Sequence, residues 1–413
     1  MVSKADSLGG GASRVAETLS TSLRERGVHT THFTALSSAG YDEHRRPFYG
    51  NASAQRLTSL AYRAVRKTGF VDAIPFELAA VILSGILSRY DVVHFHDLSS
   101  AISPATIAFV AMFRPVVWTF HDCSPFTGGC LYPLNCRQYV DRCGRDYRCP
   151  EVGGWPLRTK FDRTYFLQHL RASVHKHSNV TAIAPSEWMA RMARDSGKVT
   201  KQVRVVSNGI DANIFKPHPK FATRRKYGLP LDRPVVLISS AVLGDARKGV
   251  RESIAALRSI ADLKPHALIV GERDEPLLRE LGPLTSTVTG YIKSPSELSE
   301  WYACADAFLF CSLADNQPLS VLETMACGTP LVGFAIGGLP EMIADGVQGK
   351  LVAAGHACDL EQALREVIAS SDSMGASARK RVEERFTLSL CAEQHEQLYR
   401  DVLLGSCKPT SNF

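Results

Sequence analysis

Short β-branched runs alternate with helical patterns along nearly the whole chain, and the alternation runs through twice. In the first half the strand-like runs are VHTTHFTAL (28–36), DVVHFH (91–96), PVVWTFH (115–121) and VTAIAPS (180–186). In the second they are VRVVSNG (203–209), PVVLISSA (234–241), HALIVG (266–271), STVTGYI (286–292), DAFLFCS (306–312) and PLVGF (330–334). Helical patterns fall between most of them, at 249–262, 295–304, 319–327 and 357–369 among others. Nearly continuous apolar strands separated by helices call for parallel sheets covered on both faces. The pattern restarts after 215–234, a stretch rich in proline and charge and without a period, which reads as a linker between two doubly wound domains. At roughly 150 residues per domain, a chain of 413 residues has room for both.

Composition removes several function classes. A hydrophobic share of 45% and a charged share of 22% exclude a disordered, collagenous or coiled-coil chain. The net charge of +7 belongs to the first half, where residues 1–185 carry 21 Lys and Arg against 14 Asp and Glu, while residues 186–413 carry 27 of each. That excess is too diffuse for nucleic-acid binding, so no nucleic-acid partner is expected. It suits an anionic membrane surface or a phosphorylated substrate. The longest apolar stretch, around Leu78 to Leu87, is about half the roughly 20 residues a spanning helix needs. With no secretory leader in view, a reducing, cytoplasmic setting is expected.

The chain opens on a glycine turn, Gly9-Gly10-Gly11, that leads into a helix after only a few strand-like residues. The first strand therefore reads as clipped, with Met1 an internal methionine, or else as a short edge strand. Glycines allow close backbone approach, and the N–H groups of the following helix attract an anion, so Gly10 and Gly11 are candidates for holding an acceptor or phosphate. A tight turn without a ligand is the plainer reading. The order is not G-x-G-x-x-G, which argues against a nicotinamide dinucleotide.

Further on, Asp315 ends a strand and Glu323 lies eight positions later on the next helix, with Gly337-Gly338 closing the strand after that. A carboxylate here can take both hydroxyls of a ribose. Taken alone, the two acids could equally be solvated side chains near helix ends.

This stretch resembles the acid-x7-acid signature of the family 4 retaining glycosyltransferases. The likeness extends in order through the GGGAS turn, TFHD, APS-x-W, SNGID, RKG, TGYI, the acidic pair and GG-x-PE. It implies an α/β GT-B fold, two doubly wound Rossmann-like domains facing a central cleft. The implied division is an N-terminal acceptor-binding domain at 1–200, a nucleotide-sugar-binding domain at 201–387, and a C-terminal helix at 388–413 packing back on the first domain. WTFHDCSPFTGGC and the cysteines after it further resemble bacterial exopolysaccharide enzymes of the colanic-acid type.

The resemblance also implies residue roles. Glu323 binds the ribose, and Asp315 stands where the family usually has glutamate, near the donor sugar. Lys248 neutralises the departing diphosphate. The family's Gly-Arg pair is replaced by Ser239, Ser240 and Ala241, so that the second cation is either absent or supplied by Arg247. His121 is the cleft histidine that contacts the donor sugar, although a lone strand-end histidine is more often structural. His96 lines the acceptor side, and Asp97 and Asp122 orient the two imidazoles. Gly290 brings backbone near the base, Asn208 and Gly209 face the cleft, and the amides after Gly337 and Gly338 hold phosphate oxygens. No Asp-x-Asp pair for a divalent metal is present, so no cofactor is expected to be required for catalysis.

Cys130, Cys136, Cys143 and Cys149 supply four thiols within twenty residues, enough for a structural zinc, although no gap has the C-x2-C form. Disulfides and free thiols are the alternatives. The segment 53–70 sets Leu57, Leu60, Ala61 and Ala64 on one helical face among Arg56, Arg63, Arg66 and Lys67, a pattern suited to an anionic membrane surface or to packing on its own domain.

The expected function is a retaining, metal-independent transfer of sugar from a nucleotide diphosphate sugar to a saccharide acceptor, lipid-linked, in exopolysaccharide or cell-surface polysaccharide synthesis. The enzyme would be cytoplasmic and peripheral at the inner face of the plasma membrane. The alternatives are a catalytically silent nucleotide-sugar-binding protein of the same fold and a nucleotide-sugar epimerase.

Overall fold

The computed structural model describes residues 1–406 other than Ala39 and Ala357. Ala357, the first residue of the helix expected at 357–369, and residues 407–413 of the expected terminal segment lie outside the described residues. Two compact units emerge. One is Met1–Ser207 together with the segment starting at Cys391, and the other is Asn208–Leu390.

The first unit holds a seven-stranded sheet of β1 (Val2–Ser3), β2 (His32–Thr34), β3 (Arg45–Pro47), β4 (Val93–Phe95), β5 (Val116–Thr119), β6 (Val180–Ala184) and β7 (Arg204–Val205), in the order β3-β2-β1-β4-β5-β6-β7. The second holds six strands, β8 (Val235–Ser239), β9 (His266–Val270), β10 (Ser286–Val288), β11 (Ala307–Phe310), β12 (Leu331–Phe334) and β13 (Gly349–Val352), in the order β10-β9-β8-β11-β12-β13. Every described strand pair is parallel. In each sheet the order reverses once, between β1 and β4 and between β8 and β11. Ligands of doubly wound sheets bind beyond the carboxyl ends of strands at such a reversal.

Alternate residues of the second sheet feed two separate cores. Val235, Leu237, Phe308 and Phe310 belong to one, and Val236, Ile238, Ala307 and Leu309 to the other. Both faces are therefore covered, which is why these strands read as unbroken apolar runs. In the first unit Val116 and Trp118 enter the main core, while Val117 and Ile183 pack with Leu398 of the terminal helix Leu388–Ser406. The same helix sets Cys391 and Ala392 against Leu19 and Leu23 and closes ion pairs from Glu396 to Arg26 at 3.0 Å and from Asp401 to Arg204 at 2.7 Å.

Three expectations change. The run at 203–209 does not open the second sheet: Arg204 and Val205 pair with Ile183 and Ala184 of β6, so the units divide after Ser207 and not after residue 200. The stretch 215–234 is not the linker. It lies within the second unit and contains the helix Lys220–Lys226, whose Arg224 is buried, donates to the Cys304 carbonyl at 2.8 Å and meets Asp306 at 2.6 Å. Charge that read as solvated is spent on an internal ion pair. Finally, β1 is short but lies between β2 and β4, so the edge-strand reading fails.

Candidate active site

In the second unit the functional side chains follow the carboxyl ends of β8, β11 and β12. Beyond β8, the turn Ala246–Lys248 is opened by Asp245, whose carboxylate accepts from the Arg247 amide at 3.0 Å. Gly249 follows with φ 63°, and a Cβ there would stand 1.7 Å from the Cys311 carbonyl oxygen. Only glycine lets this turn lie on the end of β11. The result is that Lys248 Nζ reaches Asp315 Oδ2 at 2.8 Å, with Arg247 at 3.4 Å and the Ser312 hydroxyl at 2.8 Å from the same oxygen. Arg247 is held as well by Asp245 and by the Ala314 carbonyl. Asp315 thus holds two cations side by side, and its shorter side chain is committed to them.

Gly337, beyond β12, has φ 57°, and a Cβ there would lie 1.7 Å from the Asp315 carbonyl oxygen, to which the Gly338 amide donates at 3.4 Å. The glycine pair therefore packs on the backbone of the acidic loop. Glu323, almost wholly buried, sits in the helix Leu319–Ala326 that starts just past that loop. Asn208 is tied to the same loop. Its amide donates to Gln317 Oε1 at 2.6 Å and its side-chain nitrogen to the Gln317 carbonyl at 3.2 Å, so it braces the acidic loop from below. Gly290 follows β10 at φ 75°, and its carbonyl accepts from Gly271 at 3.2 Å. Gln317, Ser312, Asp245 and Gly249 escaped the sequence reading, and only the glycine after Lys248 left a local signal.

In the first unit the corresponding ends are those of β1, β4 and β5. Gly10 caps the helix Gly11–Glu25 at φ 117° without a side-chain hydrogen bond, and the space around Gly10 and Gly11 is open. The tight position is Gly9, where a Cβ would meet Ala5 Cβ at 2.2 Å. His96 Nδ1 and His121 Nε2 are 3.0 Å apart, and their rings stack at 5.3 Å. Behind them the His94 ring lies tilted against His96 at 4.0 Å and bonds the Tyr399 hydroxyl at 2.7 Å and Thr119 at 2.6 Å. Desolvation first, and then the proximity of His395, lowers His121 to about 3, and burial drives His94 and His96 well down too. His121 is thus a neutral hydrogen-bonding group. Asp97 and Asp122 accept the amides of Ser99 and Ser124, respectively.

The four thiols of the cysteine loop lie in the first unit. Among the described residues no group of three or more His, Cys, Asp or Glu is placed to hold a metal ion. Cys130, Cys136, Cys143 and Cys149 are free thiols with other uses: Cys143 Sγ accepts the Gly128 amide at 3.3 Å, Cys136 Sγ meets the Tyr147 hydroxyl at 3.7 Å, and Cys149 packs with Val71, Val152, Leu157 and Leu167. Burial raises Cys143 to about 12 and Cys149 to about 11, keeping them protonated. Of the basic helix, Ala52–Arg66, only Tyr62 is buried, while Leu57 and Leu60 stand exposed at 68% and 57%. No described helix is long and apolar enough to cross a membrane.

Two parallel, doubly wound sheets of this order define a two-domain α/β protein of the GT-B fold. Residues 9–214 match the family model Glycosyltransferase Family 4 and residues 233–370 match Glycosyl transferases group 1, and the chain belongs to the glycosyltransferase family 4 type. It is 29% identical to the alpha-maltose-1-phosphate synthase of Mycolicibacterium smegmatis over 49% of this chain and 57% of that protein, so the match takes in little more than half of the relative's length. Among solved structures, sucrose-phosphate synthase from Thermosynechococcus elongatus superposes with a TM-score of 0.72 at 20% identity, covering 97% of this chain and 96% of its own. Anabaena HepE, solved in complex with UDP-glucose, superposes with a TM-score of 0.65 at 16% identity, covering 97% and 99%.

Proposed function

We propose that this protein transfers a sugar, with retention and without a metal ion, from a nucleotide diphosphate sugar to a saccharide acceptor, lipid-linked and bound for an exopolysaccharide or other cell-surface polysaccharide. The observation that carries the reading is the Lys248 and Arg247 pair held on Asp315 beside the Gly337 turn. Two adjacent cations at a sheet reversal suit a diphosphate whose charge grows as the bond to the sugar breaks, and fixed positive charge favours that state over the bound substrate. Glu323 takes the ribose hydroxyls. The donor's own phosphate oxygen accepts the proton of the attacking hydroxyl, so no protein nucleophile is required, and neutral His121 hydrogen-bonds the sugar. HepE in complex with UDP-glucose makes a uridine nucleotide sugar the first donor to try. The exposed Leu57 and Leu60, among Arg56, Arg63 and Lys67, support contact of the first unit with an anionic membrane from the cytoplasmic side.

The test is a donor screen with purified protein, following transfer to lipid-linked saccharides with and without a chelator and reading the product anomer by NMR. Glu323→Ala is expected to lose donor binding and transfer together. Wild-type donor affinity and turnover in that variant would overturn the assignment. Donor binding without turnover would favour a silent protein, and isomerisation without acceptor an epimerase.

A further inference from the structure

At the site end of the first sheet, three cations gather on one half-exposed indole. Lys4, the residue after β1, has Nζ 4.5 Å from the Trp155 ring centroid, and the guanidinium carbons of Arg158 and Arg66 lie at 5.1 Å and 5.9 Å. None of the three side chains closes an ion pair or donates a hydrogen bond among the described residues, and Arg66 Nε is buried without a partner. Cation–π attraction accounts for one cation over a ring, but three on the same ring repel one another. The backbone around them is strained: Arg158, Asp72 and Ser100 all adopt left-handed conformations, with φ of 46°, 56° and 67°. Such outliers are held only where surrounding structure imposes them, and they gather at ligand sites.

The nearby carboxylates do not neutralise the group. Asp72 accepts the Ser100 amide at 2.9 Å and Asp97 the Ser99 amide at 3.1 Å, and neither forms an ion pair with Lys4, Arg66 or Arg158, although Lys4 acts on both, and Arg66 on Asp72, through space. One more buried polar atom in this region, Ser100 Oγ on the residue whose amide Asp72 accepts, has no partner. Buried polar atoms are ordinarily satisfied, so orphans beside unpaired cations mark a place shaped for a polar, negatively charged guest. The nearby cavity lined by Asp72, Pro156, Leu157 and Arg171 measures only about 10 Å³, room for one water, so the guest lies on the indole and not inside the domain.

We infer that Lys4, Arg66 and Arg158, gathered on Trp155, form a cradle for a negatively charged group, a phosphate or a carboxylate, carried by the acceptor saccharide. This rests on the reading of the first unit as the acceptor side, and it names the class of acceptor. The saccharide ring lies toward the indole, the anion bridges the cations, and the orphan Ser100 hydroxyl meets a ring hydroxyl. Acceptors without charge near the growing end would be poor partners.

Calorimetric titration of the full-length protein tests this with three probes: glucose 1-phosphate, methyl glucuronide and neutral methyl glucoside. They are titrated into wild type, the double variant Lys4→Ala/Arg158→Asn, the single variant Arg158→Asn and Lys248→Ala. Arg158 is exposed and asparagine tolerates left-handed backbone, so the single variant keeps the fold. At least one of the two anions is expected to bind wild type and to weaken tenfold or more in the double variant, while Lys248→Ala leaves that affinity unchanged. Which anion responds distinguishes a phosphorylated from a carboxylated acceptor. No binding of either anion to wild type, equal affinity in the double variant, an affinity that follows Lys248, or an equal loss for methyl glucoside would overturn the cradle. UDP-glucose titrated into the same proteins reports the donor side alone. Its failure to bind wild type would count against the proposed donor and leave the cradle result standing.

Discussion

Asp122 shows what a buried carboxyl beyond a strand end costs. Desolvation, opposed by its hydrogen bonds to Ser124, raises its pKa from 3.8 to about 6. Between those values the folded state keeps a proton that the unfolded state has released. The stability associated with this group is therefore fully present below pH 3.8 and lost as pH rises through about 6. Asp122→Asn keeps the acceptor for the Ser124 amide and removes the buried charge. Thermal or urea unfolding should show the variant more stable at pH 7.5 by on the order of 2–3 kcal/mol, with the gap closing below pH 4; a constant gap across that range would refute the argument. His121 was legible as a candidate because it follows an unmistakable strand. Asn208 was legible only as a position, since its partner Gln317 lies 109 residues away.

Among the elements, the terminal helix Leu388–Ser406 does more than close the chain. Leu398 is 2% exposed and covers Val117 and Ile183 on a sheet face, and Tyr399 reaches His94 behind the histidine pair. Leu398→Ala should cost about 2–5 kcal/mol, read as a lower denaturation midpoint for the first unit. A midpoint within experimental error of wild type would mean that the helix is not part of that core. Most strands could be read from their apolar runs. The edge strand β3, Arg-Arg-Pro, could not, because its side chains are polar and its only neighbour is β2. The allegiance of β7 also escaped, since two residues of VRVV fit either sheet equally well.

For the molecule as a whole, Glu323, Lys248, Arg247, Asp315 and Gly337 all fall within Asn208–Leu390, a continuous segment with its own two cores, whereas His96 and His121 belong to the other unit. A fragment of 208–390 is therefore expected to bind UDP within several-fold of the full chain and to transfer nothing, which calorimetry and a transfer assay can check. A hundredfold loss of UDP affinity would show that the nucleotide depends on the first unit. Alternating periodicity, strand-end positions and the order of short motifs are local properties, and the sequence by itself determined the class of fold, the number of domains, and the identities of Asp315, Glu323, Lys248 and His121 as candidates. Sheet membership and side-chain partnership depend on residues far apart in the chain. Only the tertiary structure decided that Asp315 is spent on Lys248 67 positions earlier, that Cys143 accepts the Gly128 amide, and that Lys4, Arg66 and Arg158 meet on Trp155. Hydrophobic burial sets the layers, while the pairing of charges waits on which loops those layers bring together.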